Sequence, residues 1–304
     1  MKLTFLGTGG GLPSPTRGVS ALAVQMGRDM LLFDCGEGTQ RQFMISPLSF
    51  MKVKSIFITH FHGDHFLGLP GLIQSMNFSG REEDLFIFGP AGMVDITATI
   101  ATLGEFQPSF NICARDIEAG ERVNLGRCTV TAIHSDHTVP ALSYVLEEPP
   151  RRGRFRVDRA RELGVPRGPL FSQLQAGKSV TVRGREISPE EVMGPPRPGR
   201  KVVYSGDTRP TEALIEAARG AEVLVHEATL DSTLSEGAWE YGHSTARDAA
   251  EVAKAAEVGT LILTHISNRY DDAAVLEAEA REIFPNTVVA HDLMTFTVRV
   301  RERA

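Results

Sequence analysis

A chain of 304 residues with 42% hydrophobic and 23% charged residues can build a sizeable core beneath an ordinary globular surface. Three scattered cysteines without a Cys-x-x-Cys pair argue against a disulfide framework, and no apolar run approaches membrane-spanning length, so a reducing cytoplasm is the expected setting. The net charge of −6 argues against a general nucleic-acid binder, but its distribution does not: Pro149 to Arg200 holds twelve Lys or Arg against five Asp or Glu, a local +7 that leaves −13 for the remainder.

In chain order, apolar patterning predicts a strand over Met1–Leu6 that ends in the glycine-rich turn Gly7–Gly11. Ala21–Met26 and Met30–Phe33 then flank Gly27-Arg28-Asp29 as a hairpin, and a helix is expected over Thr39–Ile45. Ser55–Thr59 is a strand that delivers His60-Phe61-His62-Gly63-Asp64-His65. Helical spacing marks Leu67–Met76 and Gly92–Leu103, with strands at Leu85–Phe88, Cys128–Ile133 and Leu142–Leu146. Residues 149–200 have few apolar runs and two turn-rich stretches, Gly164–Pro169 and Gly194–Gly199, and read as an excursion inserted in a single domain over 1–304. Alternation then resumes: strands at Val202–Ser205, Val223–His226 and Thr260–Thr264, helices at Thr211–Arg219, Thr245–Ala256 and Ala273–Phe284, and a closing strand over Leu293–Arg299.

Three histidines and an aspartate within six residues are not a core pattern. After an extended strand, alternate side chains share one side, so His60 and His62 can converge on one cation. Asp64 and His65 follow where the chain turns toward a helix and can hold a second. Imidazole nitrogen and carboxylate oxygen suit two Zn²⁺ per chain, with Mn²⁺ as an alternative. Two such ions carry a water toward hydroxide near neutral pH, a nucleophile for a phosphorus or carbonyl centre.

Thr59–His65 resembles the signature of the metallo-β-lactamase superfamily. The resemblance implies an α/β fold, a four-layer αββα sandwich of two face-to-face sheets with helices outside, and here a protruding basic arm. It also implies further ligands at later strand ends. His134-Ser135-Asp136-His137, Ser205-Gly206-Asp207-Thr208 and Thr264-His265 occur in the required order. On that pattern His60, His62 and His137 complete one site, Asp64, His65 and His265 the other, and Asp207 bridges them. Between His134 and His137, the succeeding Val139-Pro140-Ala141-Leu142-Ser143-Tyr144 favours His137 and leaves His134 as a hydrogen-bond partner to a ligand.

Finer matches narrow the family. Asp34–Gln42, Gly7-Thr8-Gly9 with Pro13 and Arg17, His226-Glu227-Ala228-Thr229, His243–Ala246 and Thr264–Tyr270 resemble the short form of the ribonuclease Z family over essentially the whole chain. That resemblance implies an endoribonuclease that trims precursor tRNA just after the discriminator nucleotide. Asp64 would orient the attacking water, and His243 would protonate the departing oxygen while Glu227 holds its imidazole. In a plainer reading, Ser244 or Thr245 caps the following helix and His243 is incidental. His226 is expected to pack near the site rather than bind metal.

Gly164–Leu170 resembles the core of the family's tRNA-gripping arm, which makes Arg151, Arg152, Arg154, Arg167 and Lys178, together with Arg17, candidate RNA contacts. Precursor tRNA is thus the expected partner, a homodimer is implied, and neither DNA nor a membrane is expected. Gly18 departs from the Asn of many relatives. Two competing readings are a dinuclear hydrolase of small esters and a nucleic-acid-binding module without activity.

Overall fold

The computed structural model describes residues 1–105 and 107–300, which divide into two compact units, one of residues up to 147 together with 200–300 and one of residues 148–199. Fourteen strands of the larger unit form two seven-stranded sheets. The first contains β1 (Lys2–Gly7), β2 (Ala21–Met26), β3 (Asp29–Phe33), β4 (Val53–Phe57), β5 (Leu85–Gly89) and β6 (Ile112–Asp116). The second contains β7 (Arg122–Asn124), β8 (Thr129–His134), β9 (Leu142–Glu147), β10 (Lys201–Tyr204), β11 (Val223–Glu227), β12 (Thr260–Thr264) and β13 (Thr287–Val289). The last strand, β14 (Thr295–Thr297), returns to the first sheet beside β1.

Period-two alternation assigns each strand's side chains to a layer. Leu3 and Phe5 of β1, Leu31 and Phe33 of β3, Val223 and Val225 of β11 and Ile262 of β12 enter one buried cluster between the sheets. Their neighbours point outward: Met30, Leu32 and Ile56 pack beneath α1 (Thr39–Ile45), α3 (Leu69–Phe78) and α4 (Met93–Ala101). Leu224, Leu261 and Leu263 lie under α5 (Glu212–Ala218), α7 (Ala246–Ala255) and α8 (Ala274–Ile283). Three buried clusters separating helix, sheet, sheet and helix are the four expected layers. Each fully buried Leu or Phe contributes about 1.5–3 kcal/mol of burial, so the sheets form a rigid base for whatever their ends carry.

Two expectations about elements need correction. Leu293 takes a left-handed conformation with φ 63°, so the closing strand begins only after it and is confined to β14. β6 was not expected, because its residues are half-buried or exposed at the sheet edge and show no apolar alternation.

The smaller unit has a core of its own in place of the apolar poverty expected of residues 149–200. Ala160, Val165, Phe171, Leu174, Val180, Ile187 and Val192 are buried together. They come from helices Val157–Glu162, Pro169–Gln175 and Pro189–Val192, the hairpin Val180–Val182 with Arg185–Ile187, and, for Val165, the loop after the first helix. Each contributes one or two apolar side chains, too widely spaced to read as a periodic run.

Candidate active site

The strand ends bring the histidines together. From β4 the chain runs extended through His60 and His62, then enters the short helix α2 (Gly63–Phe66), which carries Asp64 and His65. His137 follows β8, Asp207 follows β10, Glu227 ends β11 and His265 follows β12. His265 has φ 57°, and a side chain on Gly10 would place its Cβ 2.4 Å from the His265 ring, so Gly10 is required for this close approach.

Two donor sets without a common residue result, and a third grouping of Asp207, His243 and His265 overlaps both. His62 Nδ1 lies 3.1 Å from His60 Nε2 and 3.2 Å from His137 Nε2. Asp64 Oδ2, His65 Nε2 and His265 Nε2 stand 3.3–3.5 Å apart, and Asp207 Oδ2 is 3.3 Å from each of those two nitrogens and 3.6 Å from His60 Nε2. Ligands about 2.1 Å from a tetrahedral zinc lie about 3.4 Å from one another, so both sets have the spacing of a tetrahedral cation site. Asp207 Oδ1 is buried without a hydrogen-bond partner, an orphan that a cation would satisfy.

Protonation follows from the surrounding contacts. His60 Nδ1 faces the Thr59 hydroxyl at 3.0 Å, His65 Nδ1 faces Asp34 at 2.8 Å, His137 Nδ1 faces the Gly242 carbonyl at 2.7 Å and His265 Nδ1 faces the Thr229 hydroxyl at 2.8 Å. Asp34 and the Gly242 carbonyl can only accept, and the Thr59 and Thr229 hydroxyls already donate to Asp34 and Glu227, so the proton sits on each Nδ1 and the Nε2 lone pair turns into the cluster. Burial, then the neighbouring His65, holds His60 well below its ordinary pKa; burial, then His137, lowers His62. Both are therefore in the neutral, ligating form. At His65 burial opposes charge, but Asp207 and Asp34 outweigh it and raise the pKa well above the usual range. The cluster thus favours positive charge at His65 Nε2, where a cation fits. Burial works against the Asp64 carboxylate as well, yet hydrogen bonds to His265 and His65 hold it far below the carboxylate range.

Asp34 is the residue whose role the sequence did not disclose. It sits at the end of β3 with φ 57° and accepts from Thr59 N at 2.7 Å and the Tyr204 hydroxyl at 2.9 Å besides facing His65. A signal existed, since it too is a carboxylate at a strand end. Asp34→Asn should weaken metal binding by roughly ten- to a hundredfold with the fold intact, measured by metal release against a competing chelator. Unchanged affinity would show that Asp34 only supports the fold.

Beside the donor sets, His243 Nδ1 lies 3.0 Å from Glu227 Oε1, and Glu227 is fully buried. Glu227 also accepts from Thr208 N at 2.8 Å and the Thr229 hydroxyl at 2.5 Å, which fixes its carboxylate. Burial disfavours a charged His243, but the Glu227 carboxylate and its hydrogen bond push the pKa up to about 9. Thr245 caps α7 in a capping box with Asp248, so the plainer reading of that residue holds without displacing His243 from the site.

Of the other sequence candidates, His134 is exposed at the end of β8 and lies outside the donor sets, whereas His137 lies inside one. His226 is buried, its Nδ1 2.7 Å from the Glu227 carbonyl. Arg17 donates to the Thr8 hydroxyl and the Ala290 carbonyl at 2.7 and 2.8 Å, which makes it a tie for the loop Gly11–Gly18. That loop reaches the centre through Gly11 N, 2.7 Å from Asp64 Oδ2. Within the smaller unit, Arg151 and Arg152 bond the Pro198 and Gln175 carbonyls, and Arg154, Arg167 and Lys178 are exposed.

Comparison with known proteins adds to this geometry. Residues 1–97 match a family model described as anti-Pycsar protein Apyc1, and residues 191–266 match the beta-lactamase superfamily domain. The chain is 47% identical over 302 residues to ribonuclease Z of Methanosarcina acetivorans, covering 99% of both. It is 49% identical over 299 residues to that of Methanothermobacter thermautotrophicus, covering 98% of this chain and 97% of the relative. Among solved structures, human tRNase Z, short form, superposes with a TM-score of 0.73 at 28% identity, covering 99% of this chain and 100% of the other. The metallo-beta-lactamase fold protein YhfI from Bacillus subtilis gives a TM-score of 0.71 at 18% identity, a likeness of fold alone, covering 97% and 98%.

Proposed function

The chain belongs to the ribonuclease Z family, and from that premise we propose that it is the endoribonuclease that cleaves precursor tRNA on the 3′ side of the discriminator nucleotide, removing the trailer and leaving a 3′-hydroxyl. The observation that carries the chemistry is the buried Glu227 carboxylate 3.0 Å from His243 beside two tetrahedrally spaced donor sets.

His60, His62 and His137 with Asp207 would hold one ion, and Asp64, His65 and His265 with Asp207 the other. When bound, two Zn²⁺, or Mn²⁺ in their place, supply Lewis-acid activation of water and neutralise charge on the phosphate. The chain's own groups do the rest. Asp64 orients the attacking water, its second role beside the donor set. His243 keeps its Nδ1 proton on Glu227 and gives up the Nε2 proton to the departing 3′ oxygen. A nucleoside alkoxide is a poor leaving group, which is why a proton donor is needed here.

Incubation with a precursor tRNA and Zn²⁺ or Mn²⁺ should give one cut just after the discriminator. Random degradation, or no cleavage with either metal, would overturn the reading.

The cationic unit of residues 148–199 supports docking of the tRNA body by charge and shape. Deleting Pro149–Pro198 should lower precursor cleavage by about a hundredfold or more, the scale of losing several phosphate contacts, while sparing hydrolysis of a small activated phosphodiester. Equal loss of both would count against a separate docking element. A homodimer is supported by large apolar side chains exposed on α1 and α3, Met44, Ile45 and Phe78 among them. A cytoplasmic setting is supported by three cysteines that form no disulfide among the described residues.

A further inference from the structure

The chain's single tryptophan, Trp239, stands at the lip of this site in an arrangement the chemistry above does not use. It lies on helix α6 (Ser235–Glu240) with 60% of its surface exposed. The Arg209 guanidinium carbon is 5.2 Å from the ring centroid. Arg209 Nε donates to the Trp239 carbonyl at 2.7 Å and Nη1 pairs with Asp136 at 2.8 Å. The guanidinium is therefore held in place and keeps the indole from swinging freely. Tyr241, two residues on, is 66% exposed.

The same segment is tied to the reacting groups. The Gly242 carbonyl faces His137 Nδ1 at 2.7 Å, and His243 N donates to the Ala238 carbonyl at 2.8 Å. A ring this exposed, beside a cluster of imidazoles and carboxylates, leaves a large apolar face in water. The patch is poorly suited to phosphate, because Asp136 already meets the charge of Arg209 and Glu236 and Glu240 share the helix. It suits the flat, uncharged face of a base, which stacks on an indole backed by a guanidinium.

We infer that Trp239, positioned by Arg209, is a stacking platform for the unpaired base of the nucleoside whose 3′ oxygen leaves. The choice of nucleoside follows from His243, four residues on, which delivers the proton to that oxygen. The inference rests on the endoribonuclease reading, which wild-type cleavage of a precursor tests independently.

Because Trp239 is the only indole, its fluorescence reports directly on stacking. Mixing holoenzyme with excess precursor tRNA should quench emission before the cut appears, and a blunt RNA duplex bound to saturation should not. Trp239→Ala should lower kcat/KM for precursor by roughly ten- to a hundredfold, and Trp239→Phe should restore most of it. Hydrolysis of bis(p-nitrophenyl) phosphate should be unchanged in both. An abasic residue at the discriminator should cost wild type the same factor and the alanine variant nothing more. Equal loss on RNA and the small ester would mean that the ring merely supports the His137–His243 lip. That outcome, unquenched emission at saturation, dependence on the first trailer base instead, or a change of oligomeric state in Trp239→Ala would each overturn the inference.

Discussion

Asp207→Ala should cleave precursor tRNA at least about a thousandfold more slowly than wild type and retain fewer ions per chain, the scale of losing several kcal/mol of charge stabilisation. Among the described residues Asp207 is the carboxylate that touches both donor sets: its Oδ2 is 3.3 Å from His65 and His265 and 3.6 Å from His60. It is fully buried, which disfavours its charge, yet His265 and His65 hold it well below the carboxylate range. Without it, His60, His62 and His137 are three imidazoles with no anion to balance a dication. Elemental analysis of the purified variant, beside the cleavage rate, separates loss of metal from loss of chemistry. Wild-type stoichiometry with wild-type rate would remove Asp207 from both roles.

The second large effect concerns His243. Its replacement by alanine should lower cleavage by roughly 10²–10⁴-fold, the span of general-acid assistance. Hydrolysis of a p-nitrophenyl phosphodiester should fall far less, because that leaving group departs without a proton. A purely structural His243 would lower both alike. The pH profile gives an independent check. The protonated imidazole is the active form, so activity is present below the His243 pKa and lost as pH rises through it. Glu227 pushes that pKa up to about 9, and nearby bound cations would pull it back down, so the alkaline limb should lie at or below that value. Glu227→Gln removes the raising charge and should shift the limb to lower pH. A limb that does not move would leave the pair without a part in proton transfer.

The clustered histidines and carboxylates were legible because they are chemically conspicuous and lie at strand ends, where the β/α rhythm predicts convergence. His134 and His137 could be separated only by the fold: the strand carries His134 outward, and the turn after it carries His137 inward. The groups that hold the ligands were much less visible. Thr59, Thr229 and the Gly242 carbonyl act through single hydrogen bonds to residues far away in sequence, and a lone hydroxyl or carbonyl has no pattern to read. Arg17 shows a structural tie that its motif did not signal, because its Nη1 donates to Thr8 and Ala290, partners far apart in sequence. The small core of residues 148–199 escaped because its seven apolar side chains are dispersed over short elements, none long enough to show a period.

Glu147 and Lys201 stand directly opposite one another in the antiparallel ladder of β9 and β10. An antiparallel pair can be closed by as few as two residues. Topologically, then, the whole of residues 148–200 occupies the place of a hairpin turn. Closing a loop costs free energy that grows only with the logarithm of its length, so almost any insert is tolerated there. On the docking role proposed for this insert, what the enzyme grips can be rewritten by exchanging one turn, with no strand register of the sheets asked to change.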